Sequence, residues 1–164
     1  MNAQVSFAPS RMWRGLVLVG WLALCFSAAS SAVFITPGGW FERLTKPSWN
    51  PPSWVFGPVW STLYVVMAVA AWRVWRAGGW LKQRGALGLF VAQWFLNALW
   101  TPLFFGLHQP GWAFAEIVLL WLMLLATGWR FWQVNRVAGV LLWPYLVWVS
   151  FAGFLNFTIW RLNR

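Results

Sequence analysis

Length, composition and charge argue against a soluble globular domain. Of the 164 residues, 61% are hydrophobic and only 9% are charged, which leaves too little polar surface to cover a water-soluble fold. The net charge of +10 does not indicate binding to nucleic acid, because the basic residues occur singly or in pairs between apolar runs and form no basic stripe. The composition predicts an all-α integral membrane bundle that forms a single domain over residues 1–164.

Five segments are apolar and long enough to cross a bilayer, which takes about 20 residues in a helix. They cover residues 12–35, 54–75, 85–107, 111–131 and 137–160. The first segment has an alternative interpretation as a cleaved signal sequence, because Arg11 and Arg14 precede an apolar run that ends in small residues. We prefer a helix, since the apolar run continues to Ile35 beyond the possible cleavage site.

The connection between the first two spans, residues 36–53, differs from the short turns elsewhere. It is rich in Pro, Gly and Trp and longer than a simple reversal of the chain requires, which predicts a lid over one end of the bundle.

Basic residues are divided unequally between the two sides of the predicted bundle. Five spans put the termini on opposite sides, and the far side has only Arg43, Lys46, Arg161 and Arg164. This bias predicts a bacterial inner-membrane protein with a cytoplasmic N-terminus. The N-terminal side has eight basic residues: Arg11, Arg14, Arg73, Arg76, Lys82, Arg84, Arg130 and Arg136.

Several of the 18 tryptophans lie at span ends, where indole rings anchor helices in the headgroup region. Trp72 and Trp160 are examples. Others lie deeper, and helical spacing places them with polar or small residues on one face of each span. Two interpretations of these faces stay open from spacing alone, namely tight helix packing with amides as interhelical links and a cavity for a flat apolar ligand. The faces contain Trp60 and Tyr64 in the second span, Gln93, Asn97 and Trp100 in the third, and Tyr145, Trp148, Ala152 and Asn156 in the fifth.

Few groups are available for acid–base or metal chemistry. The sequence has two carboxylates, Glu42 and Glu116, and one histidine, His108, at spacings that form no metal site or catalytic pair. We therefore predict no metal site, no certain catalytic residue and no required cofactor. Because an isolated carboxylate at membrane depth is costly, Glu116 is expected to pair with Arg161.

Three motifs in three spans resemble the translocator protein family, whose bacterial members are the tryptophan-rich sensory proteins. The first is KPSWNPPSWVFGPVW at residues 46–60, followed by Leu63, Tyr64 and Met67. The second joins QWFLN at 93–97 to WTPLFFG at 100–106, and the third is PYLVWVSFAGFLN at 144–156. The resemblance covers residues 14–162.

The resemblance implies a five-helix bundle with a pocket under the first loop for porphyrins and other haem-related tetrapyrroles. It implies a membrane receptor, sensor or carrier for these ligands. Two alternatives are a light-dependent porphyrin-degrading enzyme, which would use Trp60 and Trp148, and an exporter of porphyrins or other metabolites. By position in the motifs, the implied ligand-binding residues are Trp40, Phe41, Pro51, Trp60, Tyr64, Asn97, Trp100, Trp148 and Ala152.

Two further expectations concern assembly and sterol binding. Members of the family are often dimeric, and Gly85, Gly88 and Ala92 form a stripe of small residues that predicts a homodimer through the third span. The sterol-associated pattern of animal members requires a tyrosine where this chain has Phe157, so cholesterol binding is not expected.

Overall fold

The computed structural model describes residues 10–31, 35 and 38–164, and this part of the chain is helical with no strand. A short 3-10 turn precedes α3, and a π-helical turn, Pro102–Gly106, follows α4. The α-helices are α1 (Arg11–Ser27), α2 (Gly39–Arg43), α3 (Phe56–Arg76), α4 (Gly79–Thr101), α5 (Pro110–Val134), α6 (Arg136–Leu141) and α7 (Trp143–Leu162).

Four of the described helices are long and apolar enough to cross a membrane: Ser53–Arg76, Gly79–Gly106, Pro110–Val134 and Arg136–Leu162. They correspond in order to the second to fifth predicted spans. The helix of the first predicted span, α1, has 17 residues and is about 26 Å long at 1.5 Å per residue. Its expected continuation through residues 32–34 lies outside the described residues, so the count of five spans stays a prediction.

The third span begins earlier than hydropathy indicates. Helix α4 starts at Gly79 and not at residue 85. Hydropathy missed its first turns because they carry Lys82 and Arg84 and lie outside the apolar run. Gln83 has the non-helical dihedrals φ −109° and ψ 18°, which mark a kink between this polar turn and the apolar helix. The preceding reversal needs glycine, since Gly78 and Gly79 have φ values of 153° and 71°.

Small residues bring the helices together around a common core. Helix α1 packs on α3, α4 packs on α3 and α5, and α5 also contacts α6 and α7. Ala68, Ala70 and Ala71 on α3 are fully buried, and their small side chains permit close approach of neighbouring helices. On α4 and α5, the rings of Phe90 and Phe131 stack with centroids 5.7 Å apart.

The first loop is fastened to two parts of the bundle. The ring of Trp40 in α2 stacks on His108 in the α4–α5 turn, with centroids 4.3 Å apart. At the end of α7, Asn163 accepts a hydrogen bond from the Thr45 backbone N–H and donates one to the Thr45 carbonyl, both at 2.9 Å. These contacts hold the loop over the end of the bundle where α3 and α5 begin.

The predicted pair between Glu116 and Arg161 is wrong. Glu116 is buried in α5, and neither of its carboxylate oxygens has a hydrogen-bond partner. Arg161, near the end of α7, is exposed. Shared membrane depth was therefore insufficient evidence for a pair, because the two side chains have different environments.

Candidate functional site

A cavity of about 340 Å³ lies among α1, α3, α4, α5 and α7, below the first loop. The helices that surround the cavity carry large rings and small residues on their inward faces. A small residue opposite a ring leaves space between two packed helices, and the cavity lies in this space. Six of the predicted ligand-binding residues line it: Trp60, Tyr64, Asn97, Trp100, Trp148 and Ala152.

Two indole rings form adjacent walls of this cavity. The Trp60 and Trp148 centroids are 6.5 Å apart, and their planes meet at 87°. Phe56 packs edge-on against Trp148 with centroids 5.7 Å apart, and Tyr64 lies beside Trp60 at 5.4 Å. The two central tryptophans therefore present nearly perpendicular ring planes in the cavity wall.

Asn97 of α4 lines the cavity and is buried. Its Oδ1 accepts a hydrogen bond from the Tyr64 hydroxyl at 3.4 Å, which is longer than a typical O–H···O bond. An amide has two donors and two acceptor positions. Asn97 is thus able to hydrogen-bond a ligand without breaking a strong contact.

Trp100 is fixed in place from outside the cavity. Its indole N–H donates to Asn156 Oδ1 at 3.0 Å, and Asn156 Nδ2 donates to the Pro110 carbonyl at 2.8 Å. Its ring also stacks on Phe104 with centroids 5.0 Å apart. The ring is therefore oriented before any ligand binds.

The three remaining predicted residues do not line the cavity. Trp40 and Phe41 pack on Phe104, with centroid distances of 5.8 and 6.1 Å, in an aromatic cluster beneath α2. Pro51 belongs to the loop that precedes α3 and also lies outside the lining. Ligand contact by these three residues stays a prediction.

Sequence reasoning missed several apolar residues of the lining, among them Phe26 from α1 and Ile117 and Leu120 from α5. Neither helix had an aromatic or amide stripe, so their contribution depends on helix orientation. The signal that could have found Phe26 is its ring contact with Tyr64, at 5.5 Å, but that contact is visible only in three dimensions.

The cavity offers flat apolar surfaces, the Asn97 amide and the hydroxyl-bearing side chains Ser61, Tyr64 and Thr101. Among the described residues, no group of three His, Cys, Asp or Glu side chains could hold a metal ion. Aromatic faces with a few polar groups are typical of sites for planar apolar ligands.

Comparison with known proteins identifies relatives over most of the chain. Residues 15–161 match the model of the TspO/MBR family. Protein CrtK of Rhodobacter capsulatus is 43% identical over 150 residues, which cover 90% of this chain and 92% of that protein. The tryptophan-rich sensory protein of Cereibacter sphaeroides is 43% identical, covering 87% and 88% of the two chains. The human translocator protein is 43% identical, covering 76% and 75%.

Proposed function

The chain belongs to the TspO/MBR family, and from this premise we propose that it is a membrane receptor, sensor or carrier that binds porphyrins and related tetrapyrroles. The observation that carries the proposal is the cavity that Trp60, Trp100 and Trp148 line together with Asn97. The names of the relatives, a sensory protein and a translocator protein, agree with a role in ligand recognition or passage.

The geometry of the tryptophans suggests how a flat macrocycle would be held. Because the planes of Trp60 and Trp148 are nearly perpendicular, one flat ligand stacks on the face of one indole and meets the edge of the other. Both arrangements are favourable for aromatic groups and contribute about 0.5 to 1.5 kcal/mol per pair beyond the area buried.

The size of the cavity gives the first loop a role. Its volume of about 340 Å³ is near the lower end of ligand pockets, which span about 300 to 1,000 Å³. A tetrapyrrole therefore requires either partial insertion or displacement of the loop above it. We propose that residues 36–53 form a lid that opens during binding.

The test is a protoporphyrin titration of purified protein, followed by tryptophan fluorescence quenching. Trp60→Phe and Trp148→Phe should each weaken binding about two- to tenfold, because each loses indole surface at the ligand. Ala152→Thr should weaken it similarly, since the larger side chain intrudes into the small cavity. Unchanged affinity in all three variants would contradict the proposed site.

The control must be a largely exposed indole outside the cavity. Trp112 is 70% exposed and lies outside the cavity lining, so Trp112→Phe should leave the affinity unchanged. Equal losses in all four variants would show that general destabilisation, and not ligand contact, was being measured.

Light-dependent degradation of porphyrin is the second candidate function. It is favoured by the presence of two oxidisable indoles, Trp60 and Trp148, in the wall of one cavity. Absorption spectra of bound protoporphyrin, followed in the dark and under illumination, separate the two functions. Loss of the porphyrin spectrum only in light, and only with both tryptophans present, would support the enzyme. A stable spectrum under illumination would contradict the enzyme and would be consistent with the binding function.

A further inference from the structure

A second concavity lies on the outside of the bundle, between α5 and the α6–α7 pair. It is an apolar groove of about 320 Å³ with three exposed indoles, Trp129, Trp132 and Trp143. Two glycines form its floor. At Gly139 an added Cβ would lie 2.8 Å from the Trp132 backbone, whereas at Gly128 it would meet no atom within 4 Å. Close helix approach and missing side chains thus create the groove.

The groove extends over about one leaflet of the bilayer. Its lining on α5 runs from Leu124 to Trp132, which is about 12 Å at 1.5 Å per residue. Half of a hydrocarbon core of about 30 Å is about 15 Å. The groove therefore matches an acyl chain of the leaflet on the N-terminal side, with its outer end at Trp132.

Positive charge lies at this outer end. The Arg136 guanidinium is 5.9 Å from the Trp132 ring centroid, whereas Arg130 Nη2 lies 3.5 Å from the Cβ position of Gly85 and therefore belongs to the α4 side of α5. The sequence has only two carboxylates. Glu42 in α2 and Glu116 in the first turns of α5 both lie toward the opposite side of the bundle, so neither can neutralise Arg136.

We propose that this groove binds an anionic phospholipid, with one acyl chain between α5 and α7 and the phosphate at Arg136. The indoles at the outer end lie at the headgroup level, where amphipathic rings are stable. The ligand is a lipid and not a free phosphate, because the groove is apolar along its length and the charge is confined to one end.

Native mass spectrometry of the detergent-solubilised protein tests this site. Phosphatidylglycerol and phosphatidylcholine with identical acyl chains are the two probes, and the phosphatidylglycerol complex should be favoured about fivefold per engaged arginine. Arg136→Gln should reduce this preference and leave phosphatidylcholine binding unchanged. Gly128→Leu should reduce binding of both lipids, because its Cβ position is open and the larger side chain fills the groove.

Matched controls separate the groove from general lipid contact. Gly15 in α1 also faces open space on the same membrane side, so Gly15→Leu should bind both lipids normally. Arg161→Gln removes a cation on the opposite side and should keep the preference. Thermal unfolding checks the fold, and Leu125→Phe, which enlarges an exposed lining residue, is the substitute if Gly128→Leu is unstable.

Three results would overturn the proposal. They are equal binding of the two lipids by the unmodified protein, full binding by both groove-filling variants, and displacement of the lipid by inorganic phosphate alone. The last result would identify a headgroup site that does not use the groove.

Discussion

Asn156 holds three helices together through one side chain. Asn156 lies on α7, and its Oδ1 accepts a hydrogen bond from the indole N–H of Trp100 on α4. Its Nδ2 donates a hydrogen bond to the Pro110 carbonyl at the start of α5. It is buried, with 2% of its surface exposed. In the hydrocarbon core water does not replace lost partners, so its removal leaves the Trp100 indole N–H unsatisfied and takes one donor from the Pro110 carbonyl.

We therefore expect Asn156→Leu to lower the free energy of unfolding by about 1 to 3 kcal/mol. Each hydrogen bond between membrane helices contributes about 0.6 kcal/mol on average and up to about 1.7, and two are lost. Unfolding in a titration with sodium dodecyl sulfate measures the change. Protoporphyrin affinity should also fall, because the Trp100 ring loses its orientation.

Thr158 on the same helix provides the control for this prediction. Its hydroxyl donates only to the Phe154 carbonyl of its own helix, at 2.9 Å. Thr158→Val keeps the shape and removes no interhelical contact, so its stability should change little. A loss in Thr158→Val equal to that in Asn156→Leu would show that the interhelical bonds contribute nothing measurable.

Indole rings at the span ends have more varied roles than anchoring. Trp72 is half-buried, and its N–H donates to the Arg14 carbonyl at 2.9 Å, joining α3 to α1. Trp160 packs against Phe114 with centroids 5.9 Å apart. Neither would be a neutral control for ligand binding, whereas Trp112 is largely exposed.

At the scale of elements, the attachment of the first loop decides how the cavity opens. Asn163 holds Thr45 through two backbone contacts. Near the same helix end, Trp49 stacks on Phe154 with centroids 5.3 Å apart. The loop must give up contacts of this kind if it is displaced by a ligand.

We expect Asn163→Ala to speed both association and dissociation of protoporphyrin, because the lid opens more readily without the Thr45 contacts. A change of about threefold in each rate corresponds to the loss of a partly exposed hydrogen bond of about 0.5 to 1 kcal/mol. Stopped-flow fluorescence measures both rates.

The exposed residue Arg164 supplies the comparison for this variant. It lies next to Asn163, with its guanidinium 3.8 Å from the Trp160 ring centroid, and its contact is made within the C-terminal end and not to the loop. Arg164→Gln should leave the rates unchanged. Unchanged rates in Asn163→Ala as well would mean that loop opening does not limit access to the cavity.

At the scale of the whole molecule, the sequence predicted most of what depends on local pattern. Apolar runs identified four of the helices, helical spacing put Trp60, Asn97, Trp100 and Trp148 on inward faces, and the family resemblance implied the pocket; all four residues line one cavity. Spacing cannot fix rotation of one helix against another. For this reason it missed Phe26 on α1 and Ile117 on α5, and it wrongly paired Glu116 with Arg161.

The amides show the same limit. Gln93, Asn97 and Asn156 were all assigned to inward faces, and all three are buried. Yet Asn156 links helices, Asn97 faces the cavity, and neither amide atom of Gln93 has a hydrogen-bond partner. Periodicity establishes the face of a side chain but not its partner, which depends on atoms from helices distant in sequence.

The topology of the whole chain gives a further prediction. With eight basic residues on the N-terminal side and four on the other, we expect the N-terminus in the cytoplasm and the C-terminus outside. Alkaline phosphatase fused after Arg164 should be active, and the same enzyme fused in the α3–α4 turn should be inactive. An inactive C-terminal fusion would contradict this orientation or the count of five spans.

Assembly is the last property that belongs to the whole molecule. On α4, an added Cβ at Gly88 would meet no atom within 4 Å, and Ala92, one turn further, is exposed. Gly85 is partly covered, since its Cβ position lies 3.5 Å from Arg130 Nη2. Gly88 and Ala92 are therefore open to a second copy, and small residues at this spacing permit close approach of two helices in a membrane.

We expect a homodimer through this face, and Gly88→Leu with Ala92→Leu should convert it to a monomer. The leucines project into open space, so they obstruct a partner without disturbing the bundle, and the porphyrin affinity of each protomer should persist. Analytical ultracentrifugation in density-matched detergent measures the mass. Gly20→Leu, at another open glycine on α1, should leave the dimer intact. A dimer that survives both α4 substitutions would exclude this face as the interface.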